Sequence, residues 1–274
     1  LLDAATELGI NYIDTAPVYG TGVSEDLLGK ALKGGRREKF LLQTKCSLNW
    51  RGDGGNYHYE RDGVTVNNDT SARAVKQDVE DSLKRMGTDY IDLIVVHYVC
   101  KDWPVEETMG ALQELIKEGK IRAVGLSNSQ PGDLEEYSKY GTVALVQEFF
   151  SLLSPYHGGD YFPVTDKHGT TFQVYGALEE GFLTAPDFRG KLPWIHEPIK
   201  GNIHKLFDVM KPLTEKYNCT YSNLVQAWTL AQYPNLSLLT GFRRVETMEN
   251  TCKSLDLQLE AADIALLSEA AKPA

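Results

Sequence analysis

What the chain lacks narrows its class before anything else does. No stretch approaches the roughly 20 consecutive apolar residues of a membrane span. Positive charge is scarce: the formal net charge is −10, which disfavours nucleic acid or an anionic membrane as a general partner. Cysteine is sparse and scattered, and Cys46, Cys100, Cys219 and Cys252 form no CxxC pair. Reduced thiols in a cytoplasmic protein are therefore expected, with no metal. No G-x-G-x-x-G follows any strand candidate; the "GDGG" at 52–55 sits in a polar stretch. That argues against the rival architecture, an open doubly wound sheet. No Pro- or Ser-rich linker, composition shift or short repeat interrupts the chain, so one domain over residues 1–274 is expected.

What is present is a regular alternation. With 274 residues, 42% of them hydrophobic, the chain can bury a sizeable core. Short apolar runs at 11–16, 40–45, 91–97, 121–127, 144–150, 171–177 and 236–242 are separated by helical patterns. The runs are continuous rather than alternating in polarity, as strands covered on both faces should be. Helix signals include a Ser24 cap, a segment from Ser71 to a Gly87 stop, and another from Pro104 to Gly119. The opening "LLDAATELG" reads as part of a helix closed by Gly9. Seven β-then-α units fit an α/β fold of the (β/α)8 TIM-barrel type, whose first strand is expected upstream of Leu1. Two stretches, 46–69 and about 151–170, are longer than a barrel needs and are expected to be functional loops. The first carries Trp50, Tyr57, His58 and Tyr59. Together with Trp103, Trp50 and Tyr57 are the expected substrate contacts, because aromatic faces stack on sugar rings while polar groups meet hydroxyls.

In such a barrel, catalytic side chains sit at the C-terminal ends of strands. Those ends carry Asp14, Tyr19 just beyond it, Lys45 and His97. Taken singly, each has a duller explanation: a turn cap, a packed phenol, a solvated lysine, a core histidine. Their joint occurrence at successive strand ends points to proton delivery. A phenol ordinarily holds its proton up to a pH of about 10, and an adjacent ammonium makes that proton easier to give. A carboxylate such as Asp14 keeps the ammonium charged, and a histidine can orient a carbonyl oxygen.

The stretches "GINYIDTAPVYG", "LLQTK", "DSLKRMGTDYIDLIVVH", "QELIKEGKIRAVGLSN", "VQEFFSLL" and "VYGALEEGFLT", in this order, resemble the aldo-keto reductase superfamily across essentially the whole chain. The resemblance implies a barrel that binds a nicotinamide cofactor without a dinucleotide fingerprint. It implies reversible, NADPH-dependent reduction of an aldehyde or ketone, with NADH also admitted as cofactor. Tyr19 would be the proton donor, assisted by Lys45, Asp14 and His97. Ser127, Asn128 and Gln147 match residues that bond the nicotinamide carboxamide, and Tyr175 matches the aromatic that stacks on the ring. Gly176, Leu178 and Gly181 match the pyrophosphate loop. Arg243 or Arg244 would pair with a 2′-phosphate, with Glu249 and Asn250 near the adenine. The expected partner is a small-molecule carbonyl, a sugar or other polyhydroxylated compound being compatible with the aromatic stretch; the sequence does not specify an oligomeric state. The alternative from another class is a nicotinamide-binding regulatory or scaffold subunit with little turnover. A Schiff-base lyase using Lys45 is a third reading, opposed by Asp14, which keeps that lysine charged.

Overall fold

The computed structural model describes residues 1–187 and 200–272. Its elements run α1 (Leu2–Glu7), β1 (Tyr12–Asp14), α2 (Val23–Ala31), β2 (Leu41–Cys46), β3 (Leu48–Asn49), β4 (Asn56–Arg61), β5 (Val64–Asn68) and α3 (Ala72–Met86). There follow β6 (Ile91–Val96), α4 (Val105–Lys117), β7 (Ile121–Ser127), α5 (Pro131–Tyr137), β8 (Leu145–Phe149), α6 (Tyr156–His168) and β9 (Thr171–Tyr175). The chain ends with α7 (Lys200–Tyr217), α8 (Tyr221–Leu230), β10 (Leu236–Leu238), α9 (Val245–Cys252) and α10 (Ala261–Ala270). These elements group into a larger unit, Leu2–Gln147 with Pro163–Thr171, and a smaller one, Leu1 with Glu148–Phe162 and Phe172–Ala274.

In the larger unit the parallel order is β1-β2-β6-β7-β8. Every residue of β6 is buried, which is why its sequence is an unbroken apolar run with a single charge, Asp92. Leu93 and Val95 of β6, two apart and so on one face, pack with Leu145, Tyr12 and Ala123. Asp92 accepts hydrogen bonds from Arg37 (2.7 Å), Arg122 (2.7 Å) and the Leu42 amide (2.9 Å). Both guanidiniums also cover the Tyr90 ring, at 4.0 and 4.1 Å. A buried carboxylate so satisfied costs the fold little.

Helix α3 starts where the sequence indicates, with the Ser71 hydroxyl accepting from the Ala74 amide at 3.3 Å, and stops at Gly87. Its buried residues Val75, Val79, Ser82, Leu83 and Met86 recur at helical spacing. Helix α2 departs from expectation. Gly22, not Ser24, stands at its cap position, and the Ser24 hydroxyl lies 2.8 Å from that of Thr15. The tight turn after β1 brings Thr15 close enough to compete for the serine.

The two expected loops are both structured. Residues 46–69 contain an antiparallel sheet in the order β3-β5-β4. The hairpin turns at Asp62 (φ 52°) and Gly63 (φ 75°), the two left-handed residues of a turn whose twist matches that of the flanking strands. Within 151–170 lies α6, whose helical signal is interrupted in the sequence by Gly158, Gly159 and Pro163.

The smaller unit pairs β9 and β10 in parallel, Phe172 opposite Leu236. Its core is aromatic: Phe150 stacks on Trp228 at 5.9 Å and Phe162 on Tyr233 at 4.3 Å. Asp263 of α10 accepts from Lys216 (2.8 Å) and Tyr217 (2.5 Å) of α7. Among the described residues no helix is long and apolar enough to cross a membrane, and the four cysteines are free thiols.

Candidate active site

The site in the larger unit is built around Lys45, whose side chain is 0% exposed. It is the penultimate residue of β2, and the parallel register sets Asp14, the last residue of β1, opposite Gln43. That offset lets the lysine reach across. Its Nζ donates to Asp14 Oδ1 (2.8 Å) and Oδ2 (2.9 Å), to the Thr15 carbonyl (2.9 Å) and to the Tyr19 hydroxyl (3.3 Å). Three N–H groups thus serve four acceptors, and a buried cation is fully compensated. Tyr19 arrives through a turn in which its amide donates to the Ala16 carbonyl at 3.1 Å. Its side chain lies at the surface, so the phenol faces both the ammonium and approaching solute.

His97 follows β6, its amide donating to the Cys46 carbonyl at 3.0 Å. Its ring meets the Tyr19 ring edge-on, with centroids 6.1 Å apart. Burial, with the Lys45 and His58 charges adding to it, pushes the imidazole down to about 3. At neutral pH it is a neutral hydrogen-bonding group and no reservoir of protons. The four residues expected from strand ends are therefore brought together.

The arrangement contains residues that sequence reasoning missed. Asp14 Oδ1 also accepts from Gln43 and, at 3.1 Å, from Gln147 Nε2. Gln43 in turn accepts from the Tyr12 hydroxyl. The signal for Gln43 was its position two residues before Lys45, on the same strand face. Tyr98 stacks on His97 at 5.5 Å and is met by His58 at 4.4 Å. Its backbone is tied to the Ser47 hydroxyl, which lies 3.2 Å from its carbonyl and 3.3 Å from its amide.

Ser127, Asn128 and Gln147 join the same neighbourhood. Ser127 ends β7 and its hydroxyl donates to the Gln147 carbonyl at 2.8 Å. Asn128, left-handed at φ 50°, donates from Nδ2 to the His97 carbonyl at 2.9 Å. A hydroxyl and two carboxamides supply the mixed donors and acceptors that a nicotinamide carboxamide needs, so this group of residues fits that cofactor.

The smaller unit carries the other expected cofactor residues. Tyr175 ends β9, half-buried, with Phe149 edge-on to it at 5.6 Å. Gly176 has φ 76°, and a Cβ there would lie 2.3 Å from the Phe149 ring, so only glycine fits. Leu178 (φ −96°) is followed by the left-handed Glu179 (φ 49°) and Glu180 (φ 54°), and the Glu179 amide donates to the Gly176 carbonyl at 2.8 Å. Gly181 follows at φ 100°. The Glu179 side chain is buried and accepts from the Ser151 hydroxyl, and burial pushes its carboxyl up to about 7. Arg243 and Arg244 are exposed just ahead of α9. Glu249 is exposed, and the Asn250 carbonyl accepts from Asn223 at 2.7 Å.

The expected substrate aromatics are spread out. Tyr57 on β4 is well exposed, and Trp103 is half-buried just before α4. Trp50 lies against Arg85 of α3, 5.6 Å from guanidinium to ring, in a cavity whose wall includes none of Asp14, Tyr19, Lys45 and His97.

Strands and helices in this order, with an ion-paired lysine under a half-open phenol, define an α/β enzyme of the (β/α)8-barrel oxidoreductase class. The chain belongs to the aldo/keto reductase family, which it matches over residues 1–272. It is 34% identical to the NADH-specific methylglyoxal reductase of Escherichia coli over 98% of its own length and 85% of that protein's. With aldo-keto reductase YhdN of Bacillus subtilis it shares 32% identity, covering 90% of this chain and 75% of the other. The glycerol dehydrogenase AKR11B4 of Gluconobacter oxydans superposes with a TM-score of 0.86 at 29% identity, over 98% of this chain and 83% of that one. The chain is thus an aldo-keto reductase acting with a nicotinamide dinucleotide, and its chemistry is carbonyl reduction.

Proposed function

We propose that the chain reduces a small polar aldehyde or ketone to the alcohol with NADPH, reversibly, with Tyr19 as the proton donor. The observation that carries this reading is the Lys45 ammonium, 3.3 Å from the Tyr19 oxygen and held by both oxygens of Asp14. The bound nicotinamide supplies a hydride to the carbonyl carbon. As that carbon is reduced, its oxygen takes the Tyr19 proton, and the negative charge left on the phenol oxygen faces the ammonium. Asp14, itself fixed by Gln43 and Gln147, keeps Lys45 aimed and charged. Neutral His97 hydrogen-bonds the carbonyl oxygen and orients it without competing as an acid. The same ion pair speaks against a lyase, which needs a neutral amine.

In the larger unit, Ser127, Asn128 and Gln147 are assigned the nicotinamide carboxamide. In the smaller, Tyr175 is assigned the flat ring contact, the backbone of Gly176, Leu178 and Gly181 the pyrophosphate, and Glu249 and Asn250 the adenine. Arg243 and Arg244, two exposed guanidiniums, support a 2′-phosphate and hence NADPH. NADH use is the competing possibility, since the Escherichia coli relative is described as NADH-specific. Relatives described as acting on methylglyoxal and glycerol support a small, oxygen-rich substrate, a sugar included, with Tyr57 and Trp103 as candidate contacts. Free thiols support a cytoplasmic setting.

The test is turnover of purified protein with NADPH or NADH and a carbonyl panel including methylglyoxal and glyceraldehyde, followed at the nicotinamide absorbance. Carbonyl-dependent NADPH oxidation is expected. Replacing Arg243 and Arg244 by alanine should weaken NADPH about tenfold or more while leaving NADH little changed. Tight cofactor binding without turnover on any carbonyl would instead identify a regulatory subunit.

A further inference from the structure

The pairing of β4 with β5 is irregular at one step. Tyr57 stands opposite Asn67 and Tyr59 opposite Val66, so His58 is an extra residue on β4, a β-bulge. In a regular strand His58 and Tyr59 would point to opposite faces, but a bulge re-aims the side chains around it. Here both are half-buried with their rings 5.5 Å apart, while Tyr57 is well exposed. His58 turns onto Tyr98, centroids 4.4 Å apart; Tyr98 stacks on His97, and His97 meets Tyr19 edge-on. An unbroken run of rings thus leads from the hairpin to the reducing cluster.

Among the described residues, neither the His58 ring nitrogens nor the Tyr59 hydroxyl has a hydrogen-bond partner, and these atoms are open to solute. Burial holds the His58 imidazole below its ordinary pKa, so at neutral pH the ring is uncharged, with one nitrogen to donate and one to accept. That pair matches a hydroxyl, which also donates and accepts, better than a carboxylate or phosphate, which at neutral pH chiefly accepts. Tyr98 lies between His58 and His97, so His58 does not share the carbonyl oxygen; it meets a group farther along the same molecule. We propose that His58, with Tyr59 beside it, is a specificity-determining residue that hydrogen-bonds a substrate hydroxyl beyond the carbonyl and so selects polyhydroxylated carbonyls over alkyl ones of equal length. This inference rests on the reductase reading and narrows its substrate class.

The test is kcat/KM for erythrose and for butanal, aldehydes of one chain length that differ in hydroxyls, in the wild type and His58→Phe at saturating cofactor. Phenylalanine keeps a ring against Tyr98 and removes both nitrogens. The erythrose-to-butanal ratio should fall about fivefold to tenfold, mostly through the KM for erythrose. His58→Gln, whose carboxamide donates and accepts, should recover most of that loss. A merely structural role would lower both substrates alike and leave the ratio where it was. An unchanged ratio in His58→Phe, no recovery in His58→Gln, or a wild type that reduces butanal and not erythrose would overturn the inference and leave the reductase reading standing. A wild type that turns over neither aldehyde would remove that reading, and the inference with it.

Discussion

Lys45 is a charge placed where water does not reach, which is unfavourable unless each of its protons has an acceptor. Asp14 supplies two acceptors, and the carbonyl of Thr15 and the phenol of Tyr19 supply the others. Stability and proposed chemistry therefore rest on the same bonds. Replacing Asp14 by alanine strands a buried cation and should destabilise the fold by about 3–5 kcal/mol in chemical denaturation, besides lowering turnover. Asp14→Asn, which keeps one acceptor oxygen, should cost less stability. If Asp14→Ala unfolded at the wild-type midpoint, the ion pair would carry no such weight. The four clustered residues were legible in the sequence because strand ends in a barrel converge whatever the loops do. Tyr12 was not, and for Gln43 only the strand face was, because their bonds depend on the register between β1 and β2, which no local pattern encodes.

At the scale of elements, local chemistry was readable where a cap acts alone. Ser71 closes α3 as its residue type indicates, and Ser71→Ala should lower stability by about 1 kcal/mol, measured as a shift in the urea midpoint. An unchanged midpoint would show that the hydroxyl bond adds nothing beyond what water provides. Ser24 misled because Thr15, distant from the helix pattern, claims its hydroxyl. The 46–69 stretch misled for another reason. Its Asp62-Gly63 pair is a hairpin signal, and Tyr57, Tyr59, Val64 and Val66 alternate with polar residues on either side of it, but the largely polar composition of the stretch hid that period. Substituting Gly63 by valine places a β-branched residue at φ 75°. It should loosen β4 and β5, seen as faster amide exchange at Tyr59 and Val66, which are paired in the hairpin. Exchange at β6 should stay as slow as in the wild type.

For the whole molecule, three buried titratable groups set how stability follows pH. His97 ionises near 6.5 when unfolded and at about 3 when folded. Between those values the unfolded chain holds the extra proton, so this contribution is lost as pH falls from 6.5 toward 3. Asp78 moves the other way, from 3.8 to about 7, because burial outweighs the attraction of Arg51. Glu179 likewise rises from 4.5 to about 7, again through burial. For these two the folded state holds the extra proton between the paired values, so stability falls as pH rises toward 7. Thermal unfolding of His97→Gln should show a shallower loss on acidification, and Asp78→Asn a shallower loss between pH 4 and 7. Identical slopes in wild type and variants would contradict these assignments.

The reducing cluster itself is tested most directly by the rate of carbonyl-dependent nicotinamide oxidation in Tyr19→Phe, which keeps the ring and removes the hydroxyl. A fall of about 10²–10⁴-fold with cofactor affinity preserved is predicted, and a variant as fast as the wild type would contradict the proton-donor role of Tyr19.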